Sequence, residues 1–245
     1  MSRSHMPATM LSDLCDVDAL AAARSMRWRP GLAAPAHSEI FASGCEGGGA
    51  GLALALACDA LRSSLAEDED RRAVLWVQDR AAVRLTGRPY RPGLPAELRR
   101  RLIHVVAEKA EDALFALEEG LRCRDLAFVI GELTGNPKAL DFTASRRLSL
   151  AAEKHGVPLW LVRLDAERDL SSARMRWDVR AAASPPPRWN AAAPGNPSWR
   201  AELFRARAHA LGEWILRDDG RSLVAAPPHS VGVAAAAGDR PLASG

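Results

Sequence analysis

The sequence has no apolar run approaching the about 20 residues that a membrane-crossing helix needs, and its four cysteines, Cys15, Cys45, Cys58 and Cys123, form no C-x-x-C pair. A helical membrane span therefore has no support, and neither a zinc ribbon nor a disulfide framework is suggested; free thiols in a reducing cytoplasm are the expectation. The opening segment MSRSHMPATM lacks the apolar centre of a signal peptide and reads as a frayed tail. Lysine is scarce: Lys109, Lys138 and Lys154 are the only three among 33 basic residues. Arg and Ala codons are both GC-rich, so this bias needs no functional cause. There is no G-x-S-x-G elbow for a Ser/His/Asp hydrolase. His37, His155 and His209 are isolated, and His104, inside LIHVVA, reads as a core or strand-edge residue. Glu111, Asp112, Glu118 and Glu119 have helical spacing and read as a solvated face, not as paired catalytic carboxylates. No catalytic residue, metal site or cofactor is expected from these residue types.

What is present is a soluble, core-forming composition: 245 residues, 48% hydrophobic, with a net charge of +3. That charge is too small to demand a nucleic-acid or membrane partner. Residues 1–36 read as an N-terminal helix, from Leu11 to Met26 with Leu11, Leu14, Val17 and Leu20 on one face, followed by a Pro/Gly/Ala linker. Over 37–182 short apolar runs alternate with longer helical ones, which is how a mainly parallel α/β sheet reads. The strands expected are Glu39 to Ala42, Ala73 to Val77, Leu102 to Ala107, Leu126 to Ile130 and Val157 to Leu164. The helices expected are Gly51 to Leu65, Glu108 to Arg122 and Phe142 to His155. Beyond Leu164 the texture changes. Arg174 to Ala182 reads as a strand, Ser184 to Pro197 is rich in proline, and Trp199, Ala201 and Leu203 alternate with Arg200 and Glu202. With Glu213 to Arg217 and the Asp218-Asp219-Gly220 turn, residues 183–225 read as a small antiparallel extension. The Ala/Pro/Gly-rich stretch 226–245 reads as disordered.

One segment points to chemistry. From Ser38 to Ala57 a short strand runs through a glycine-rich turn into an apolar helix, the local architecture of a P-loop. A working loop reads G-x-x-x-x-G-K-[ST]: backbone amides cradle phosphates, the lysine neutralises their outer oxygens and the hydroxyl holds magnesium. Gly44 and Gly49 keep the spacing, but Ala50 stands at the lysine position and Gly51 at the hydroxyl position. The second half of a magnesium site would be an acid ending the LAFVIGE strand. Gly131 stands there, with Glu132 one place later on the opposite side of a period-2 pattern. Both halves are thus degenerate, and ATP hydrolysis is not expected. Gly47, Gly48 and Gly49 are expected to serve the turn itself, through positive φ and close backbone approach. Asp79 could activate water, but an acid after a strand reads better as a helix cap or a solvent contact.

The order of strand, loop and helix, with Glu46 in the loop, resembles the RecA-type ATPase core. The resemblance sharpens at LWVQDR (Leu75 to Arg80), GRPYRPGL (Gly87 to Leu94), EDALFALEEGLRC (Glu111 to Cys123) and GNPSWRAELFRAR (Gly195 to Arg207). Together these are similar to the ImuA family, RecA-like accessory proteins of bacterial mutagenesis cassettes. The likeness spans about Pro35 to Asp219. It implies a RecA-like core and a non-catalytic role in SOS-type, DNA-damage-induced translesion synthesis. The partners it implies are an ImuB-type polymerase-like protein, with RecA and single-stranded DNA as further candidates and no membrane contact. Two alternatives share the fold resemblance: a SulA-like inhibitor of cell division, and an active RecA-type ATPase in which a displaced arginine such as Arg80 replaces the lost lysine.

Charge singles out the C-terminal third. Arg163 to Arg207 holds nine arginines against five acids, a surplus of four, so the remainder is slightly acidic. Trp177, Trp189 and Trp199 are interleaved there; Trp177, on an alternating strand, reads as core. Trp189 and Trp199 flank the proline-rich segment and, with Arg200, Arg205 and Arg207, are the partner-binding candidates. The basic runs Arg99 to Arg101 and Arg146-Arg147 read as solvated faces.

Overall fold

A computed structural model describes residues 26–33, 35–64, 70–190 and 192–226. The helix expected before Met26 and the tail expected after Ala226 lie outside the described residues.

Nine strands form one sheet in the order β3-β2-β4-β5-β1-β6-β7-β8-β9. They are β1 (His37–Ala42), β2 (Ala73–Asp79), β3 (Leu102–Ala107), β4 (Leu126–Thr134), β5 (Leu159–Leu164), β6 (Met175–Ala181), β7 (Ser198–Ala206), β8 (Gly212–Asp218) and β9 (Leu223–Ala226). Strands β3 to β6 of that order run parallel, and β7, β8 and β9 continue it antiparallel. The helices are α1 (Gly48–Ser64), α2 (Arg80–Thr86), α3 (Ala110–Arg122) and α4 (Phe142–His155). This is a mixed α/β fold with a mostly parallel sheet and antiparallel C-terminal strands, consistent with a RecA-like core.

The placement of the helices follows from the handedness of crossovers. Connections through α1 and α2 step one way along the sheet and lie on one face. Those through α3 and α4 step back the other way, and a right-handed path puts them on the opposite face. At the β1/β5 boundary the connections leave for opposite faces, the kind of switch point at which open α/β sheets bind ligands. The glycine-rich loop sits at that boundary.

Local sequence sets the element ends. Asp79 caps α2 by accepting from Ala82 N at 2.6 Å, and Asp141 caps α4 by accepting from Ala144 N at 2.7 Å. Gly156, at φ +70, ends α4 in the left-handed conformation that glycine adopts without penalty. In α3 the buried Ala113, Leu114, Leu117 and Leu121 recur at helical spacing, opposite the exposed Glu111, Asp112, Glu119 and Arg122. On β4 all but the last residue is buried, as expected of a central parallel strand covered on both faces.

One apolar layer joins α1 to the sheet and runs on through the antiparallel strands, where Trp28, Trp177 and Trp214 meet edge to face with centroids 4.8 and 5.5 Å from Trp28. The second lies between α3, α4 and the parallel strands. No described helix covers the side of β6–β8 that faces away from α1. There Asp178, Arg180, Arg200, Glu202 and Glu213 line a depression of about 510 Å³.

Candidate functional site

The P-loop reading places a phosphate nest between β1 and α1, and the structure puts the turn and helix there. Helix α1 begins at Gly48, three residues earlier than the sequence suggests, so Gly48, Gly49, Ala50 and Gly51 form its first turn. None of the loop glycines has positive φ; in the described chain the glycines that do are Gly31, Gly87, Gly135, Gly156 and Gly220. The expectation for Gly47 to Gly49 is therefore corrected: close approach is the constraint, and only at Gly49. A Cβ at Gly49 would stand 2.7 Å from the Ala42 Cβ and 2.9 Å from Val162 Cγ1, whereas at Gly47 it would meet nothing within 4 Å and at Gly48 only ordinary contacts.

Two carboxylates hold the loop. Asp165, following β5, accepts from Gly44 N at 2.9 Å and adopts φ +50, a left-handed conformation uncommon outside glycine. Its other oxygen would lie 2.6 Å from a Cβ at Gly44. Glu46 accepts from Ala181 N at 2.8 Å, tying the loop to the end of β6. An anion entering here would meet negative charge at both places. At Gly51, the hydroxyl position of a working loop, a Cβ would stand 3.1 Å from Trp199 Cζ2, so a side chain there would press on the indole. The residues present do not fit a magnesium-bound nucleoside triphosphate.

The second half of the site departs from expectation in a different way. Gly131 faces the α3 layer, and a Cβ there would be 2.9 Å from Leu161 Cδ1 and 3.0 Å from Leu117 Cδ1. Glu132 is the residue on the α1 side. It is buried and accepts from Trp76 Nε1 at 2.6 Å, Gln78 Nε2 at 3.1 Å and the Thr86 hydroxyl at 3.1 Å. Desolvation raises its pKa above the usual carboxylate range, against these three hydrogen bonds, which lower it. The carboxylate is committed to packing. Asp79 is a cap, also accepting from Thr134 N at 3.1 Å. Arg80, the candidate substitute for the lost lysine, is ion-paired with Glu108.

The partner-binding candidates separate. Trp189 is 80% exposed, whereas Trp199 is 6% exposed and turned toward α1. Trp199 is thus corrected from a surface anchor to a core residue: the alternation of β7 sends Trp199, Ala201 and Leu203 inward and Arg200 outward. Arg200 pairs with Glu213 across β7 and β8, while Arg205 and Arg207 are exposed at the far end of β7. Trp177 is core, as expected.

A buried polar cluster beneath the loop escaped the sequence reading. Glu39, fully buried on β1, accepts from Arg176 Nε at 2.7 Å and from the Ser171 hydroxyl at 2.8 Å, and Arg163 Nη1 lies 3.6 Å away. His37 Nδ1 is 2.8 Å from the Ser149 hydroxyl. Burial pushes the His37 pKa down to about 4; Glu39 opposes this, while Arg176 and Arg163 add to it. The signal was the period-2 alternation of HSEIFA, which puts His37, Glu39 and Phe41 on one face. Their partners, on β5, β6 and α4, could not be read from it.

No family model matches the chain. It is similar to Protein ImuA of Caulobacter vibrioides, in two strains, with 35% identity over 165 residues. The match covers 61% of this chain and 62% of the relative's length, so the chain spans less than two thirds of the curated relatives it matches.

Proposed function

We propose, from that similarity to Protein ImuA, that this chain is a non-catalytic accessory subunit of DNA-damage-induced mutagenesis. It acts by protein–protein contact in translesion synthesis in the cytoplasm, engaging an ImuB-type polymerase-like protein. RecA and single-stranded DNA are secondary partners, the latter bound weakly and in a salt-dependent way through arginines. The observation that carries the non-catalytic reading is the state of the loop: it lacks the cation and the hydroxyl, Asp165 takes the Gly44 amide, and an indole stands at Gly51. Electrostatic stabilisation lost at such a site costs roughly 10² to 10³ in rate for one donor alone.

Trp189 is the contact residue this reading favours. An indole so exposed packs against little of its own chain, and aromatic anchors commonly lose about 2 kcal/mol or more of binding when truncated. Trp189→Ala should fold as the parent does, lose capture of the purified ImuB-type partner and lower damage-induced mutation frequency. Unchanged capture and mutagenesis would remove Trp189 from the interface. Steady ATP turnover by the parent, abolished by Gly49→Asp, would overturn the non-catalytic reading.

A further inference from the structure

The glycine-rich loop carries other parts of the same chain. Strands β6 and β7 are joined by the proline-rich loop that carries Trp189, and both feet of that loop stand on the start of α1. The outgoing foot is Ala181, whose N–H donates to Glu46 Oε2 at 2.8 Å and lies 3.6 Å from a Cβ built at Gly48. The returning foot is Trp199, opposite Ala181 in the β6–β7 register. Its indole lies 3.5 Å from the Gly48 Cβ position and 3.1 Å from that of Gly51. A side chain at Gly51 would crowd the Trp199 ring, whereas one at Gly48 would only touch it at ordinary contact distance. The bare first turn of α1 is what lets this strand lie so close.

The loop is then pinched twice before it reaches its tip. Ala182 N donates to Ser198 O at 3.0 Å, and Gly195 lies against the Pro185 carbonyl, where a Cβ would be 2.1 Å from the oxygen. Asn190 N donates to Pro187 O at 3.2 Å, turning the chain at Trp189. A stem held this closely fixes where an exposed indole points, and pre-ordering of that kind lowers the entropy lost on binding.

We propose that the glycine-rich loop is a seat for the β6–β7 loop, with Glu46 and Gly51 as positioning residues for Trp189. The seat rests on the reading of Trp189 as the partner contact. It also implies that restoring the missing motif residues does not restore a nucleotide site, because the C-terminal strands occupy the space.

The test compares Glu46→Ala, Glu46→Gln and the double variant Ala50→Lys/Gly51→Thr with the parent. Amide hydrogen exchange over residues 181–190, urea midpoints, capture of the purified ImuB-type partner and binding of a fluorescent magnesium–ATP analogue are measured. Glu46→Ala should speed exchange at Ala181 and in the following loop roughly tenfold, the worth of a hydrogen bond to a charged acceptor, and should weaken capture. Glu46→Gln keeps an acceptor oxygen and should restore both. The double variant should bind no nucleotide and should loosen the same loop. Parent-like loop exchange in Glu46→Ala, or magnesium–ATP binding by the double variant with the loop undisturbed, would overturn the seat. Faster loop exchange with unchanged capture would uphold the seat and overturn the role of Trp189, so the two inferences fail separately. If the double variant does not fold, the Glu46 pair decides alone.

Discussion

Replacing the loop glycines one at a time by alanine separates packing from phosphate binding. In a phosphate loop every glycine from 47 to 49 would be constrained by the anion. Here the constraint is local. Gly49→Ala puts a methyl 2.7 Å from Ala42 Cβ and 2.9 Å from Val162 Cγ1. Both neighbours stand on strands in the middle of the sheet and cannot swing aside as a flexible side chain would. Overpacking of this kind costs about 1–3 kcal/mol, and the helix propensity regained by replacing glycine returns up to about 1 kcal/mol. The net expectation is a loss of about 1–2 kcal/mol, which for a chain of this size is a few degrees in Tm. Gly47→Ala meets nothing and lies outside the left-handed region, so it should be neutral or stabilising by about 0.4–1 kcal/mol through the unfolded chain. Gly48→Ala should also be close to neutral. Urea unfolding with a shared m value reads the three differences. A parent-like midpoint for Gly49→Ala, or a larger loss at Gly47 than at Gly49, would refute the argument.

Two buried titrating groups give pH signatures of opposite sign. His37 is held neutral, with a folded pKa of about 4 below its unfolded value, so the contribution is full above pH 6.5 and is lost as pH falls toward 4. The shift corresponds to a loss on the order of 3 kcal/mol across that window. His37→Asn should flatten the curve of urea midpoint against pH there, and a slope identical to the parent's would sink the assignment. Glu132 has a raised folded pKa, so its contribution is full below the unfolded carboxylate pKa and is lost as pH rises through the folded value. Glu132→Gln should gain stability relative to the parent between pH 4 and neutrality; a difference that does not vary with pH would count against burial as the cause.

Much of the fold was legible because it is written locally. The apolar run of β4 and the amphipathic spacing of α3 depend on residues that are neighbours in sequence. The same holds for the Asp141 cap and the Gly156 stop of α4. Helix α2 was not anticipated, being 7 residues long with a single buried residue, Ala82, and hence almost no periodic signal. The burial of Trp199 is legible in its alternation with Ala201 and Leu203, which assigns it to the inner face. Nearness to a proline-rich segment says nothing about which side of a strand a residue faces.

The site was legible only in half, and the reason is topological. The residues missing from the motif, a lysine at Ala50 and a hydroxyl at Gly51, lie within one turn of α1 and announce themselves. The residues that touch the loop do not: Asp165, Ala181 and Trp199 reach it from the end of β5, from β6 and from β7, which only sheet order brings beside β1 and α1. A motif with two substitutions could in principle be repaired by two reversions. A loop whose amide is bonded to Asp165, whose glutamate holds Ala181 and whose first helical turn is packed under an indole needs three distant segments to move as well. Degeneracy here therefore lies less in the letters of the motif than in the strands that have settled onto it. Asp165, at φ +50, is the residue to watch: a non-glycine residue keeps that conformation only when its surroundings hold it there. The bond from Gly44 N to its carboxylate is such a hold.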